Sequence, residues 1–163
     1  MFQKTSVLRR FLGLMFGVVM VVGIIPAQTA SKRGLVANLK NTAADGCGCY
    51  FRFRGTPRNA ERYVFFSSIE EDQNKASMNI DGHDVKLTLE KEEGPKGKEK
   101  ERVGSRSTAS FANGDIKVNA TYVVTRVCPR RDESCESTDY EATFVVKKGA
   151  KSQIVKATGS CGC

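Results

Sequence analysis

Four cysteines in two Cys-Gly-Cys tripeptides are the residues of this chain best suited, by type and spacing, to do chemistry: Cys47-Gly48-Cys49 and Cys161-Gly162-Cys163. Four thiolates can hold zinc tetrahedrally or take Cu(I), and an exposed low-pKa thiolate pair can exchange disulfides. The third possibility is a structural clasp. Zinc sites usually place two to four residues between paired cysteines, one more at least than here. A bridge inside one tripeptide is also awkward, because residues i and i+2 of a strand lie about 6.5–7 Å apart, at or beyond the usual disulfide span. Both thiols of a pair do face the same side, so both can reach a neighbouring strand.

Facing residues of two antiparallel strands have a constant sum of residue numbers. Cys47 with Cys163 and Cys49 with Cys161 both give 210, so one register makes two bridges, whereas the crossed pairing needs parallel strands. Cys128 and Cys135 then remain for each other, on either side of a short polar loop. The tripeptides are therefore read as a staple between first and last strands, with no metal and no cofactor expected.

Other reactive groupings are sparse. His83 is the only histidine and lies in the turn sequence "DGHD", so a Ser–His or Cys–His nucleophile would have to use it. Nothing near it resembles a nucleophile elbow. The carboxylate pairs Asp81 with Asp84 and Asp132 with Glu133 fall in turns, where acidic side chains are usually solvated, and "DGHD" is too short for a calcium loop. The chain is expected not to be an enzyme.

The stretch "CYFRFRGTPRNAER" interleaves Tyr50, Phe51 and Phe53 with Arg52, Arg54, Arg58 and Arg62. Such a face suits a polyanion, although strand alternation alone also puts the phenylalanines inward and the arginines outward. Arg130 and Arg131, in the loop closed by Cys128 and Cys135, suit specific contacts, because a bridged loop loses less entropy on binding. The sequon at Asn119 falls mid-strand.

The N-terminus sets the compartment. Lys4, Arg9 and Arg10 precede an uncharged apolar run, Phe11 to Ile25, followed by Pro26-Ala27. This is the pattern of a signal peptide (residues 1–30), cleaved near 27–30, and the run is shorter than the roughly 20 residues that span a bilayer. Without those three cations, 133 residues carry 23 Lys and Arg against 18 Asp and Glu, a net of +5. Export into a periplasmic or secreted, oxidising setting agrees with the cysteine count and lowers the expectation of nucleic acid as partner. An anionic envelope polymer or a protein partner fits the charge better, with membrane contact only through an uncleaved signal segment.

Residues 31–46 hold only Leu35, Val36 and Leu39 as large apolar groups and read as a flexible lead-in. From residue 47 to 163 the pattern is period two, as expected of a single β domain. Cys49, Phe51 and Phe53 share a face. Met78 and Ile80 alternate into Asp81-Gly82, and Val85, Leu87 and Leu89 alternate out of it. "EKEEGPKGKEKER" reads as a solvated connection. A second hairpin turns about Asn113-Gly114, with Ile116, Val118, Ala120, Tyr122 and Val124 on one face, and Tyr140, Ala142, Phe144 and Val146 mark a further strand before Lys148-Gly149. About eight strands with short connections predict an all-β antiparallel meander, closed as a small barrel, with a two-sheet sandwich as the alternative.

The segment from Ala76 to Val124, with "NIDGHDVKLTL", "VGSRSTASF" and "ANGDIKV" in that order, resembles the membrane-bound c-type lysozyme inhibitors. The resemblance implies a small eight-stranded, disulfide-bridged barrel of the exported bacterial envelope, with an inhibitory loop at Gly104 to Ser107. Two departures are plain: the family's Arg-Tyr is represented only by Arg106-Ser107, and the two Cys-Gly-Cys pairs are foreign to it. A net of +5 also gives no favourable steering towards a basic lysozyme. The functional expectation is an exported, non-enzymatic binding or structural barrel. Lysozyme inhibition and a thiolate metal or redox protein are the alternatives.

Overall fold

A computed structural model of the chain describes residues 34–41, 46–69, 74–94, 102–129, 132 and 134–163. The expected signal segment (residues 1–30), Arg130, Arg131 and Glu133 lie outside the described residues. Nine strands run in order: β1 Val36–Ala37, β2 Gly48–Phe53, β3 Phe65–Ser68, β4 Lys75–Ile80, β5 His83–Glu93, β6 Arg106–Asn113, β7 Ile116–Arg126, β8 Ser137–Lys148 and β9 Lys151–Gly162. Each strand from β2 to β9 pairs antiparallel with the next, and β9 pairs back onto β2, so eight strands close into a meander barrel. Closure pairs each barrel strand on both sides, whereas a sandwich would have had to protect open edges by other means.

The turns follow their chemistry. Asp81 and Gly82 both take positive φ (52° and 80°) between the facing residues Ile80 and His83, the pairing that an Asp-Gly hairpin requires. Gly114 and Asp115, and then Gly149 and Ala150, make the other two-residue turns at the same end of the barrel. Inside, Phe51, Phe65 and Phe144 are fully buried, with ring centroids 4.9–6.0 Å apart. Met78, Leu87, Val118 and Val146 add to the interior from β4, β5, β7 and β8, and Phe111 and Val155 from β6 and β9.

The reading of residues 31–46 as a flexible lead-in is corrected for residues 34–41. Leu35, Val36 and Leu39 are all buried, and β1 pairs with the end of β4, opposite Ile80 and Asn79, along the edge that β3 leaves free. Asp81 N donates to Leu35 O (2.8 Å), Leu39 N donates to Tyr63 O (2.7 Å), and Val36 N donates to the Gln153 side chain (3.0 Å). The carboxylate of Asp84 accepts from Lys40 N and Asn41 N, both at 2.9 Å. Three apolar residues cannot hold a structure alone, but here the barrel supplies the partner surface. The lead-in thereby covers the end that carries the three tight turns.

The charged connection is shorter than its composition suggested. Glu90 to Glu93 extend β5, and Lys91 forms an ion pair with Glu93 at 2.6 Å. Residues 95–101 lie outside the described residues.

Candidate functional site

The bridges are Cys47–Cys163, Cys49–Cys161 and Cys128–Cys135, with Cα separations of 4.2, 4.0 and 5.5 Å, and no free cysteine remains. Cys49 faces Cys161 and Gly48 faces Gly162 in the ladder between β2 and β9, the register that the sum of 210 demands. With all six cysteines bridged, none is a thiolate ligand or exchange nucleophile in this oxidised form. The central glycines have their own reason. A Cβ on Gly48 would lie 2.7 Å from the Phe66 ring and 2.8 Å from Ser67 O, and one on Gly162 would run into the backbone of Glu136 and Ser137. Each tripeptide therefore places two sulfurs on one face and a bare backbone on the other, where a neighbouring strand or ring comes close.

The expected arginine face is partly assembled. Arg52 and Arg58 line one groove of about 380 Å³ on the outside of β2, β8 and β9, with Thr56, Asp139, Glu141 and Ser160. Both are engaged by the fold itself. Arg52 Nε donates to Ala60 O (2.8 Å), Nη2 donates to Tyr63 Oη (2.9 Å), and the guanidinium stands 4.5 Å from the Tyr63 ring centroid. Arg58 reaches Asp139 at 3.2 Å, and Arg54 pairs with Glu141 at 3.5 Å. Arg106 is exposed on β6, separated from β2 by β9, β8 and β7, and does not join this groove.

Asp139 is the centre of this face, and the alternation pattern did not point to it. It is 7% exposed, and Arg126 grips it with two hydrogen bonds, Nε to Oδ2 at 2.7 Å and Nη2 to Oδ1 at 3.2 Å. A bulge in β7 brings the two together: Val124 faces Tyr140, but after one extra residue it is Arg126 that faces Asp139. Continued alternation from Tyr122 and Val124 would have turned Arg126 into the core. The hydrogen bonds from Arg126 hold the Asp139 carboxyl below its ordinary value, against the opposing effect of burial, and the charges of Arg126 and Arg58 add to the lowering. A carboxyl lowered on folding contributes stability that is full above its unfolded value near pH 4 and fades as pH falls through the lower folded value. Asp139→Asn is expected to cost about 1–2 kcal/mol at pH 7, the half-exposed Arg126 keeping the figure modest, and to flatten the acid limb of stability between about pH 4 and 2. Urea titrations across that range check it, and an unchanged acid limb would be the contrary result.

Of the groups weighed for catalysis, the described carboxylates Asp81, Asp84 and Asp132 are engaged by the fold. His83 is exposed at the start of β5. Asp81 takes ion pairs from Lys148 and Lys151, both at 3.1 Å, and Asp84 holds the lead-in backbone and Asn79 Nδ2 (2.6 Å). Asp132 Oδ1 accepts from Ser134 N and Oγ. Asn119 is exposed on β7, its amide oxygen accepting from Ser110 Oγ.

Among the described residues, nothing covers the end opposite the tight turns. A cavity of about 350 Å³ enters the barrel there, with the Cys49–Cys161 bridge, Leu89, Phe111, Tyr122 and Tyr140 as walls and Ser67, Ile69, Glu92 and Ser107 towards the rim. Burial raises the Tyr122 phenol, and the nearby Glu92 carboxylate raises it further, so the ring stays neutral. The chain matches no protein-family model, no curated protein and no solved structure. The resemblance to lysozyme inhibitors accordingly holds at the level of a small eight-stranded antiparallel barrel.

Proposed function

We propose that the protein is an exported, non-enzymatic binding module that takes a small ligand through the open end of its barrel. One observation carries this reading: among the described residues, the lead-in covers one end, while the other opens into a cavity of about 350 Å³ walled by rings, an aliphatic side chain and a disulfide. Small β-barrels commonly hold a single small ligand in such a mouth, and an apolar pocket with a few polar groups at its entrance is the usual form of a binding site. Three disulfides suit an oxidising, extracytoplasmic compartment, which supports export. An anionic envelope polymer on the outer face fits less well, because it would have to compete with Asp139, Glu141 and the Ala60 carbonyl for arginines already engaged.

The test is fluorescence titration of the oxidised protein with a neutral apolar probe, N-phenyl-1-naphthylamine. Saturable enhancement at one site per chain is expected, together with its loss in Ser107→Trp, which fills the mouth from the rim. Absence of saturable binding, or binding indifferent to Ser107→Trp, would refute the proposal.

A further inference from the structure

We infer that the open end selects an amphiphile with an apolar chain and a cationic head, the chain entering among Leu89, Phe111 and the Cys49–Cys161 bridge and the head lying between Glu92 and the tyrosine rings. This rests on the binding-module reading above and adds the chemistry of the ligand.

The argument starts from a bulge in β5. Leu87 and Leu89 point into the barrel, so strict alternation would bring Lys91 inward next. Instead the register with β6 shifts after Leu89: Leu89 faces Phe111, Lys91 faces Ser110, and Glu92 faces Ala109. Directly facing residues share a side of the sheet, and Ala109 is 5% exposed on the inner side. One extra residue therefore exchanges a cation for a carboxylate on the side of the sheet that faces the mouth, where Glu92 stays exposed, while Lys91 turns out to pair with Glu93. Bulges are a recurrent device for aiming a side chain at a site.

Of the described residues that line the cavity, Glu92 alone is charged, and no described Lys or Arg makes an ion pair with it. Tyr122 and Tyr140 line the same cavity, their ring centroids 6.3 Å apart in an edge-to-face arrangement. A carboxylate with aromatic faces above an apolar floor is the composition that holds an ammonium group bearing a hydrocarbon tail. A carboxylate or phosphate head would meet Glu92 as a like charge instead.

The experiment is displacement of N-phenyl-1-naphthylamine by three ligands of equal chain length below their micelle concentrations: decylammonium, decanol and decanoate. Decylammonium is expected to displace the probe at about tenfold lower concentration than decanol, with decanoate the weakest. Glu92→Gln should bring decylammonium to the level of decanol, each read relative to the neutral probe's own affinity measured in that variant; Glu92→Ala is the second variant, with far-ultraviolet circular dichroism confirming the barrel in each. Probe binding without an advantage for the ammonium, or an advantage that survives both variants, overturns the cationic head while the mouth still stands as a site. No probe binding at all overturns the binding module and this inference together.

Discussion

Changing Cys47, Cys49, Cys161 and Cys163 together to alanine is expected to cost about 5 kcal/mol at pH 7, whereas removing either terminal bridge alone should cost about 1 kcal/mol or less. The difference comes from the unfolded chain. The bridges span 116 and 112 residues, so either one closes nearly the same long loop, and the entropy lost in closing it is lost only once. With Cys47–Cys163 in place, Cys49–Cys161 adds only a very short ring; its remaining work is to fix register. The folded barrel keeps the β2–β9 ladder in all variants, from Gly48 facing Gly162 to Phe53 facing Ala157. Urea unfolding of the wild type, the two single-bridge variants and the four-fold variant tests this, with m-values compared to confirm that the same surface is exposed. Two single losses that summed to the combined loss would show that the bridges act through separate local packing. The Cys128–Cys135 bridge, only seven residues apart, should contribute about 2.5 kcal/mol independently of the clasp.

The clasp is also the part of the fold most directly written in the sequence, because antiparallel pairing converts residue numbers into register. The hairpin at Asp81-Gly82 was legible for the same local reason, and so was the second hairpin, although its turn falls on Gly114-Asp115, one residue past the expected Asn113-Gly114: turn chemistry and period two specify them within a few residues. The two bulges were less legible. In "LTLEKEEG", neighbouring residues 90 to 93 are all charged, so no apolar contrast shows which of them faces inward. Yet continued alternation would bury Lys91 after Leu89 and Arg126 after Val124. A cation arriving on the inner phase of a strand was the available sign that the phase slips. Asp139 could not be found this way, since its second partner, Arg58, is 81 residues away in sequence. The lead-in was missed because three apolar residues without period carry no signal until the barrel offers them a surface, and the ligating groups of Asp84 and Gln153 come from strands far along the chain. The sites that strand patterning reveals are thus the faces of regular ladders, and Glu92, aimed by an irregularity, is the residue it hides.

Phe51→Ala is expected to cost about 3–5 kcal/mol, a loss large enough to threaten a single barrel of this size. Phe51 is fully buried at the centre of β2, where its ring meets Phe65 at 6.0 Å, Phe144 at 5.6 Å and Tyr122 at 5.4 Å between centroids. Gly159 faces it on β9, and a Cβ there would run into the Tyr50 carbonyl and the Phe51 ring, so the glycine admits both the neighbouring backbone and the phenyl group. Truncation removes the transfer free energy of the ring and leaves a void that the closed sheet cannot collapse around, because every flanking strand is hydrogen-bonded on both sides. Phe51→Leu, which keeps most of the volume, should cost about 1–2 kcal/mol. Tyr122 and Tyr140 both contact Phe51 and wall the open cavity, the latter at 6.5 Å between centroids, so the void adjoins the proposed site. Saturating N-phenyl-1-naphthylamine should therefore raise the denaturation midpoint of Phe51→Ala more than that of the wild type. Urea midpoints with and without probe measure both effects. A Phe51→Ala loss below about 1 kcal/mol would mean that the ring cluster is not the centre of the core, and an equal probe shift in the two proteins would separate the open cavity from it.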